Sequence, residues 1–217
     1  MKKILLVLSL LCSFVFAFGQ EDHHAARILQ FKQMRAIDST DIVFLGNALV
    51  EYAGDWNVLL RSYHIRNRGI AGDDASDIFH LLPTIIKGNP KAIVLMIGGE
   101  DIIKGNSVAD SYIKSLHVIN AIRKELPHTR LFVLSNLPVH GYQNKALLDK
   151  IQPMASLNVQ IRHYCERYHI TYINIFRDFV RRGTNEMRRE LSQDGFLLTP
   201  FGYKLWAFAL RKYLVNL

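Results

Sequence analysis

Residues 42–46 read Ile-Val-Phe-Leu-Gly, a short run without a polar side chain, closed by glycine. A strand of this composition has no solvent-facing side, so it belongs inside a sheet covered on both faces, and such sheets are typically parallel. Three further runs share its character, Ala92 to Ile97, Leu131 to Leu134 and Thr171 to Ile175, while His64 to Asn67 is a shorter and weaker one. Between them apolar residues recur three and four apart, most clearly from Val108 to Leu126 and from Leu147 to Tyr168, the period of a helix with one buried face. A closing helix is expected from Phe201 to Leu214. Pro90, Pro127, Pro138 and Pro200 fall at the joints, where proline ends or starts an element without removing a needed hydrogen bond. Strand and helix therefore alternate, and five such units in about 170 residues predict an α/β protein with a doubly wound, parallel, five-stranded sheet.

The expected strand order is the flavodoxin-like 2-1-3-4-5. In sheets of this kind ligands sit outside the carboxyl ends of the strands, so the informative residues are those just after each strand. They are Asn47 and Ala48 after the first, Gly69 to Asp73 after the second, Gly98 to Asp101 after the third, and Leu137 to His140 after the fourth. The segment from Asp194 to Tyr203 is placed to fold back over the same edge.

The amino terminus has Lys2 and Lys3, the apolar run Ile4 to Phe18, and the small residues Ala17 and Gly19. That pattern is a secretory signal peptide over residues 1–19, leaving one domain over 20–217. The run is shorter than the ~20 residues of a membrane-spanning helix, so no stable membrane insertion is expected after cleavage and the product is periplasmic or extracellular. Cys12 follows the bulky Leu11, which disfavours lipid attachment there. After cleavage Cys165 is the only cysteine, so stability has to come from the core rather than from a disulfide within the chain. The net charge of +8 includes Lys2 and Lys3, leaving +6, and the basic residues are dispersed apart from Arg181, Arg182, Arg188 and Arg189. A coherent nucleic-acid-binding face is not expected from this dispersal, although some attraction to acidic glycans or anionic surfaces is.

Four blocks at the strand ends carry more. Residues 42–51 are Ile-Val-Phe-Leu-Gly-Asn-Ala-Leu-Val-Glu, 67–72 are Asn-Arg-Gly-Ile-Ala-Gly, 96–102 are Met-Ile-Gly-Gly-Glu-Asp-Ile, and 194–203 are Asp-Gly-Phe-Leu-Leu-Thr-Pro-Phe-Gly-Tyr. In this order and spacing they resemble the signature blocks of the SGNH (GDSL-like) hydrolases, a family of flavodoxin-like esterases and acylhydrolases. The resemblance implies a site built from a serine nucleophile, an Asp–His pair, and oxyanion donors from a glycine N–H and an Asn amide. Asp194 and the glycine donor Gly72 are retained. The nucleophile position is Ala48, the amide position is Glu100 and the base position is Leu197.

These departures bear on separate steps. Ala48 has no hydroxyl to attack a carbonyl, and Leu197 neither accepts nor delivers a proton, so Asp194 loses the group it would orient. Either loss removes most of the roughly 10⁶-fold contribution of a triad. An ionised Glu100 would repel a developing oxyanion by ~4 kcal/mol at about 4 Å, whereas a protonated one could still donate to it. The expectation is a pseudoenzyme that retains a ligand pocket of Asn47, Gly72, Gly99, Glu100, His140 and Asp194 for an acylated carbohydrate or similar small ligand. No cofactor is expected. No metal is either, since nothing fixes Asp101, Asp194, His140 and Glu100 as one ligand set, and His23 and His24 are expected in a mobile tail. Two alternatives stay open: a rewired esterase with His140 as base and Ser76 or Tyr52 as nucleophile, and a ligand-free interaction scaffold whose protein partner is not readable.

Overall fold

The computed structural model of the chain describes residues 23–62, 64–214 and 217, so the signal-peptide reading of residues 1–19 lies outside the described residues. Strands β1 (Ile42–Gly46), β2 (Ile65–Gly69), β3 (Ala92–Met96), β4 (Arg130–Leu134) and β5 (Thr171–Ile173) form one sheet in the order β2-β1-β3-β4-β5. Every pairing is parallel, with Ile42 opposite Ile65 and Ala92, and Phe132 opposite Thr171. This is the doubly wound α/β architecture and strand order expected from the alternation of apolar runs and helices.

The pleat sorts the strand residues between two cores. Val43, Leu45, Ile93, Leu95 and Val133 face a layer made by α4 (Ala75–Ile86), α6 (Val108–Glu125) and α7 (Ile151–Arg167). Ile42, Phe44, Val94, Met96 and Leu134 face the other layer, with α2 (Ala48–Glu51), α3 (Trp56–Leu60) and α9 (Pro200–Leu214). Short helices α5 (Gly99–Ile103) and α8 (Phe176–Phe179) follow β3 and β5. Among the described residues no helix is long and apolar enough to cross a membrane.

The boundaries shift where polar contacts decide them. β2 runs on to Gly69 because it is an edge strand whose polar residues have partners: Arg66 pairs with the buried Asp41 at 3.0 Å. β5 stops at Ile173 rather than Ile175, since the N–H groups of Ile175 and Phe176 turn to Ser135 Oγ at 3.0 and 2.8 Å. The helix expected from Leu147 opens as a 3₁₀ turn over Lys145–Lys150 before α7 begins.

One expectation is overturned. Residues 23–33 are a helix, α1, not a mobile tail. Ile28 and Phe31, three residues apart, pack on the core, and Phe31 lies under two guanidinium groups, with Arg27 at 4.7 Å and Arg68 at 4.6 Å from its ring centre. Arg68 is otherwise buried, which pulls its pKa down to about 10, so the cation–π contact compensates part of its desolvation.

Candidate functional site

The turn after β1 starts with Asn47, which caps α2 by accepting from the Leu49 N–H at 3.1 Å. Its amide then donates to Glu100 Oε2 at 3.1 Å, so the ends of β1 and β3 are joined through these two side chains. Ala48 is the first residue of α2 and is buried, presenting a methyl group at the head of the helix. Glu100 reaches Asn47 because Gly98 turns the chain sharply. Its φ is +85°, and an added Cβ would lie 2.6 Å from Ser115 Oγ, so glycine is required there twice over. The turn sets Glu100 in the first turn of α5, and burial raises its carboxyl pKa while the Asn47 amide opposes that rise.

On the β2 side, α1 closes over the same edge. The Glu51 carboxylate accepts from the Ala71 N–H at 2.6 Å and lies 3.0 Å from His23 Nε2 and 3.1 Å from Arg27 Nε. His24 Nδ1 meets Asp73 Oδ1 at 2.7 Å. Both histidines thus have carboxylate partners at the rim of the strand ends. Gly72 sits between them in the left-handed region, φ +83°.

Asp73 is the most perturbed of these groups. Burial pushes its pKa from 3.8 up to about 6, outweighing the opposing pull of His24. A carboxyl raised on folding holds its proton more tightly in the folded state, so its contribution to stability is full below about pH 4 and is lost as the pH rises through about 6. Asp73→Asn removes this titration. The variant is expected to gain stability relative to the parent between pH 4 and 7, by about 3 kcal/mol at most, in urea denaturation followed at both pH values. A parent-to-variant difference that does not change with pH would show that Asp73 is not the titrating group.

The far side of the edge is built from the β4 loop and the segment ahead of α9. His140 is buried and both ring nitrogens meet main chain: Nε2 donates to the Ser192 carbonyl at 3.3 Å and Nδ1 accepts from the Tyr142 N–H at 3.4 Å. Its own N–H donates to the Gly195 carbonyl at 3.0 Å. Gly195 has φ +95°, and an added Cβ would lie 2.2 Å from the His140 carbonyl oxygen, so the two loops are locked together. Asp194 Oδ1 accepts from the N–H groups of Phe196 and Leu197 at 2.8 and 2.7 Å and from Ser192 Oγ at 3.0 Å, which makes it the keystone of the turn that presents position 197. Leu197 is half-buried against the apolar layer of Leu49, Trp56, Tyr203 and Trp206.

The expected site residues thus form two contact groups. Asn47 and Glu100 touch directly, and Gly99 lies close enough to Asn136 that a Cβ would clash with its side chain. His140 and Asp194 are linked through Ser192 and Gly195. Neither alternative nucleophile is hydrogen-bonded to His140: Ser76 lines a groove with Phe79, His80, Lys114 and His117, and Tyr52 is a half-exposed residue at the end of α2. Asp101 is committed to the Ala75 N–H at 2.9 Å and Lys114 at 3.3 Å. Among the described residues, no group of three or more His, Cys, Asp or Glu side chains is placed to hold a metal ion. Sequence reasoning missed Glu51 and α1. The spacing of Ile28 and Phe31 was the one signal available for the helix, whereas the ionic partners lie too far apart in the chain to be read.

The profile of the GDSL-like lipase/acylhydrolase family matches residues 40–205. No curated protein matches the chain by sequence. Solved structures resemble it closely in fold at low identity. A protein of Streptococcus pneumonia named for platelet activating factor superposes with a TM-score of 0.84 at 22% identity, over 94% of this chain and 98% of that one. A GDSL-like lipase of Bacteroides thetaiotaomicron gives 0.76 at 15%, over 89% and 97%. An acetyl xylan esterase gives 0.67 at 14%, over 80% and 99%.

Proposed function

This chain belongs to the GDSL-like lipase/acylhydrolase family, and we propose that within it the protein is an exported, catalytically silent member whose strand-end crevice binds an acylated carbohydrate or similar small ligand. The observation that carries the reading is the chemistry at three positions. Hydrocarbon stands at 48 and 197, the histidine that follows β4, His140, has both ring nitrogens bound to main chain, and His23 and His24 at the rim each face a carboxylate, Glu51 and Asp73. A general base needs a free nitrogen lone pair within reach of a hydroxyl proton, and neither Ser76 nor Tyr52 supplies such a pair with His140. These contacts also weigh against the rewired esterase. The carbohydrate part of the reading draws on the acetyl xylan esterase among the structural neighbours, which share the fold.

Purified protein is therefore expected to hydrolyse p-nitrophenyl acetate no faster than the buffer blank. Turnover above the blank that disappears in His140→Ala would establish the rewired enzyme instead. Acetylated xylo-oligosaccharides are expected to raise the melting temperature in proportion to the logarithm of their concentration above Kd, whereas their deacetylated forms leave it unchanged. A flat response to both series would leave the interaction scaffold as the better account.

A further inference from the structure

Among the described residues the sheet ends at β5, and no further strand pairs with its outer side. Ile173 turns its carbonyl toward β4, where it accepts from the Ser135 N–H at 3.0 Å. Main-chain groups alternate sides along a strand, so the N–H and C=O of Tyr172 point outward from the sheet. β4 starts earlier than its neighbour: its first pairing with β5 is Phe132 with Thr171, so Arg130 and Leu131 lie ahead of that ladder, with the Arg130 N–H turned the other way to the Lys91 carbonyl at 3.1 Å and Leu131 facing the outer side. The sheet edge is therefore a step, two residues of β4 followed by three of β5.

Two troughs lie along this step and meet at Ile170, Lys212 and Tyr213. One, of 950 Å³, runs beside β5 between α7 and α9, and the other, of 720 Å³, lies below it beside the start of β4. The first carries Arg162, Arg177, Arg188, Arg211 and Lys212 against two carboxylates, Glu166 and Asp178, and the second adds Arg123 and Arg130 and no carboxylate. Part of this charge is spoken for, since Arg162 lies 3.7 Å from Glu166 and Arg188 donates to the Asp178 carbonyl at 3.0 Å. Arg123, Arg130, Arg177 and Lys212 are exposed and have no carboxylate within ion-pair distance among the described residues. Phe208, 71% exposed, and Tyr213 supply apolar wall.

We propose that this stepped edge is a docking site for an extended, acidic peptide segment, which adds a short strand beside β5. The floor offers outward main-chain donors and acceptors, which match a peptide backbone in a way that the irregularly spaced hydroxyls of a glycan do not. The walls set unpaired guanidinium and ammonium groups where carboxylates of such a strand would fall, and apolar side chains of alternate residues would rest on Phe208 and Tyr213. The same charges oppose a second copy of this chain, because two such edges brought together would set cation against cation.

The test uses the full chain and a fluorescein-labelled peptide of alternating Glu and Val, followed by anisotropy at low salt. Binding is expected, with the alternating Lys and Val peptide giving none. Arg177→Glu combined with Lys212→Glu should weaken it at least about tenfold. Tyr172→Pro removes the outward N–H and should weaken it about three- to tenfold relative to Tyr172→Ala, which loses the same side chain but keeps the N–H. N-methylation of the peptide on one of its two alternate sets of amides should abolish binding and serves as the readout if Tyr172→Pro does not fold. Binding that is equal for polygalacturonate or a single-stranded oligonucleotide, or that ignores both the charge reversals and the N-methylation, would overturn the proposal in favour of a generic polyanion surface or none.

Discussion

A chain carrying Ala48→Ser, Glu100→Asn and Leu197→His together is expected to hydrolyse p-nitrophenyl acetate at least about a hundredfold faster than the unsubstituted protein. The supports for each new group are already in place. A hydroxyl at position 48 would stand on the first residue of α2, whose cap Asn47 is held by its bonds to Leu49 and Glu100. An imidazole at position 197 would come three residues after Asp194, whose Oδ1 fixes the turn while Oδ2 has no hydrogen bond among the described residues and is open to a ring N–H. The amide at position 100 would replace an acceptor-only carboxylate with a donor, and its carbonyl oxygen keeps an acceptor toward Asn47. The pair Glu100→Asn with Leu197→His, which lacks the hydroxyl, should stay at the buffer rate. Covalent labelling of the triple variant by a fluorophosphonate, located by peptide mass spectrometry at position 48, gives a readout independent of turnover. A folded triple variant that neither turns over nor labels would count against the crevice still holding these three positions in the family's arrangement, whereas labelling at position 48 establishes it.

How far the site was legible follows from how local its determinants are. β1 and β3 could be read because every side chain in them is buried, so apolarity is continuous along the sequence. β2 was faint because an edge strand tolerates Arg66, Asn67 and Arg68, whose burial depends on partners elsewhere, Asp41 for Arg66 and Phe31 for Arg68. The positions of Ala48, Glu100 and Leu197 followed from short motifs whose turns depend on glycines nearby, such as Gly98 and Gly195. What each position touches did not follow. His140 could be read only as a loop residue after the fourth strand, and its partner Ser192 is 52 residues away. The same applies to His24 and Asp73, 49 apart, and to His23 and Glu51, 28 apart. Such pairs carry no period and no local composition signal, so only the folded backbone brings them into view.

Trp56→Ala is expected to cost about 4 kcal/mol of stability and to lower the melting temperature by roughly 10 °C. The indole is 1% exposed and touches each element that frames position 48 on this face of the sheet. Its ring centre lies 4.6 Å from Phe44 in β1, 5.1 Å from Trp206 and 6.5 Å from Tyr203 in α9, the last two edge-on. Its N–H donates to the Val50 carbonyl at 3.1 Å, which ties α2 to α3. Truncation to alanine leaves a cavity between rigid rings that cannot close over it, and it strips the last turn of α2 of a buried hydrogen bond, so two separate costs add. Trp56→Phe keeps most of the ring contact and loses the N–H, and it should cost about 1–2 kcal/mol, which separates the packing share from the hydrogen-bond share. Because α2 carries position 48, Trp56→Ala introduced into the triple variant should also lower its turnover at temperatures well below the new melting point. Thermal denaturation by circular dichroism, run beside that assay, decides the matter: a melting shift near zero would show that α2 is held from elsewhere, and that the aromatic cluster does not position the residue on which the family's chemistry turns.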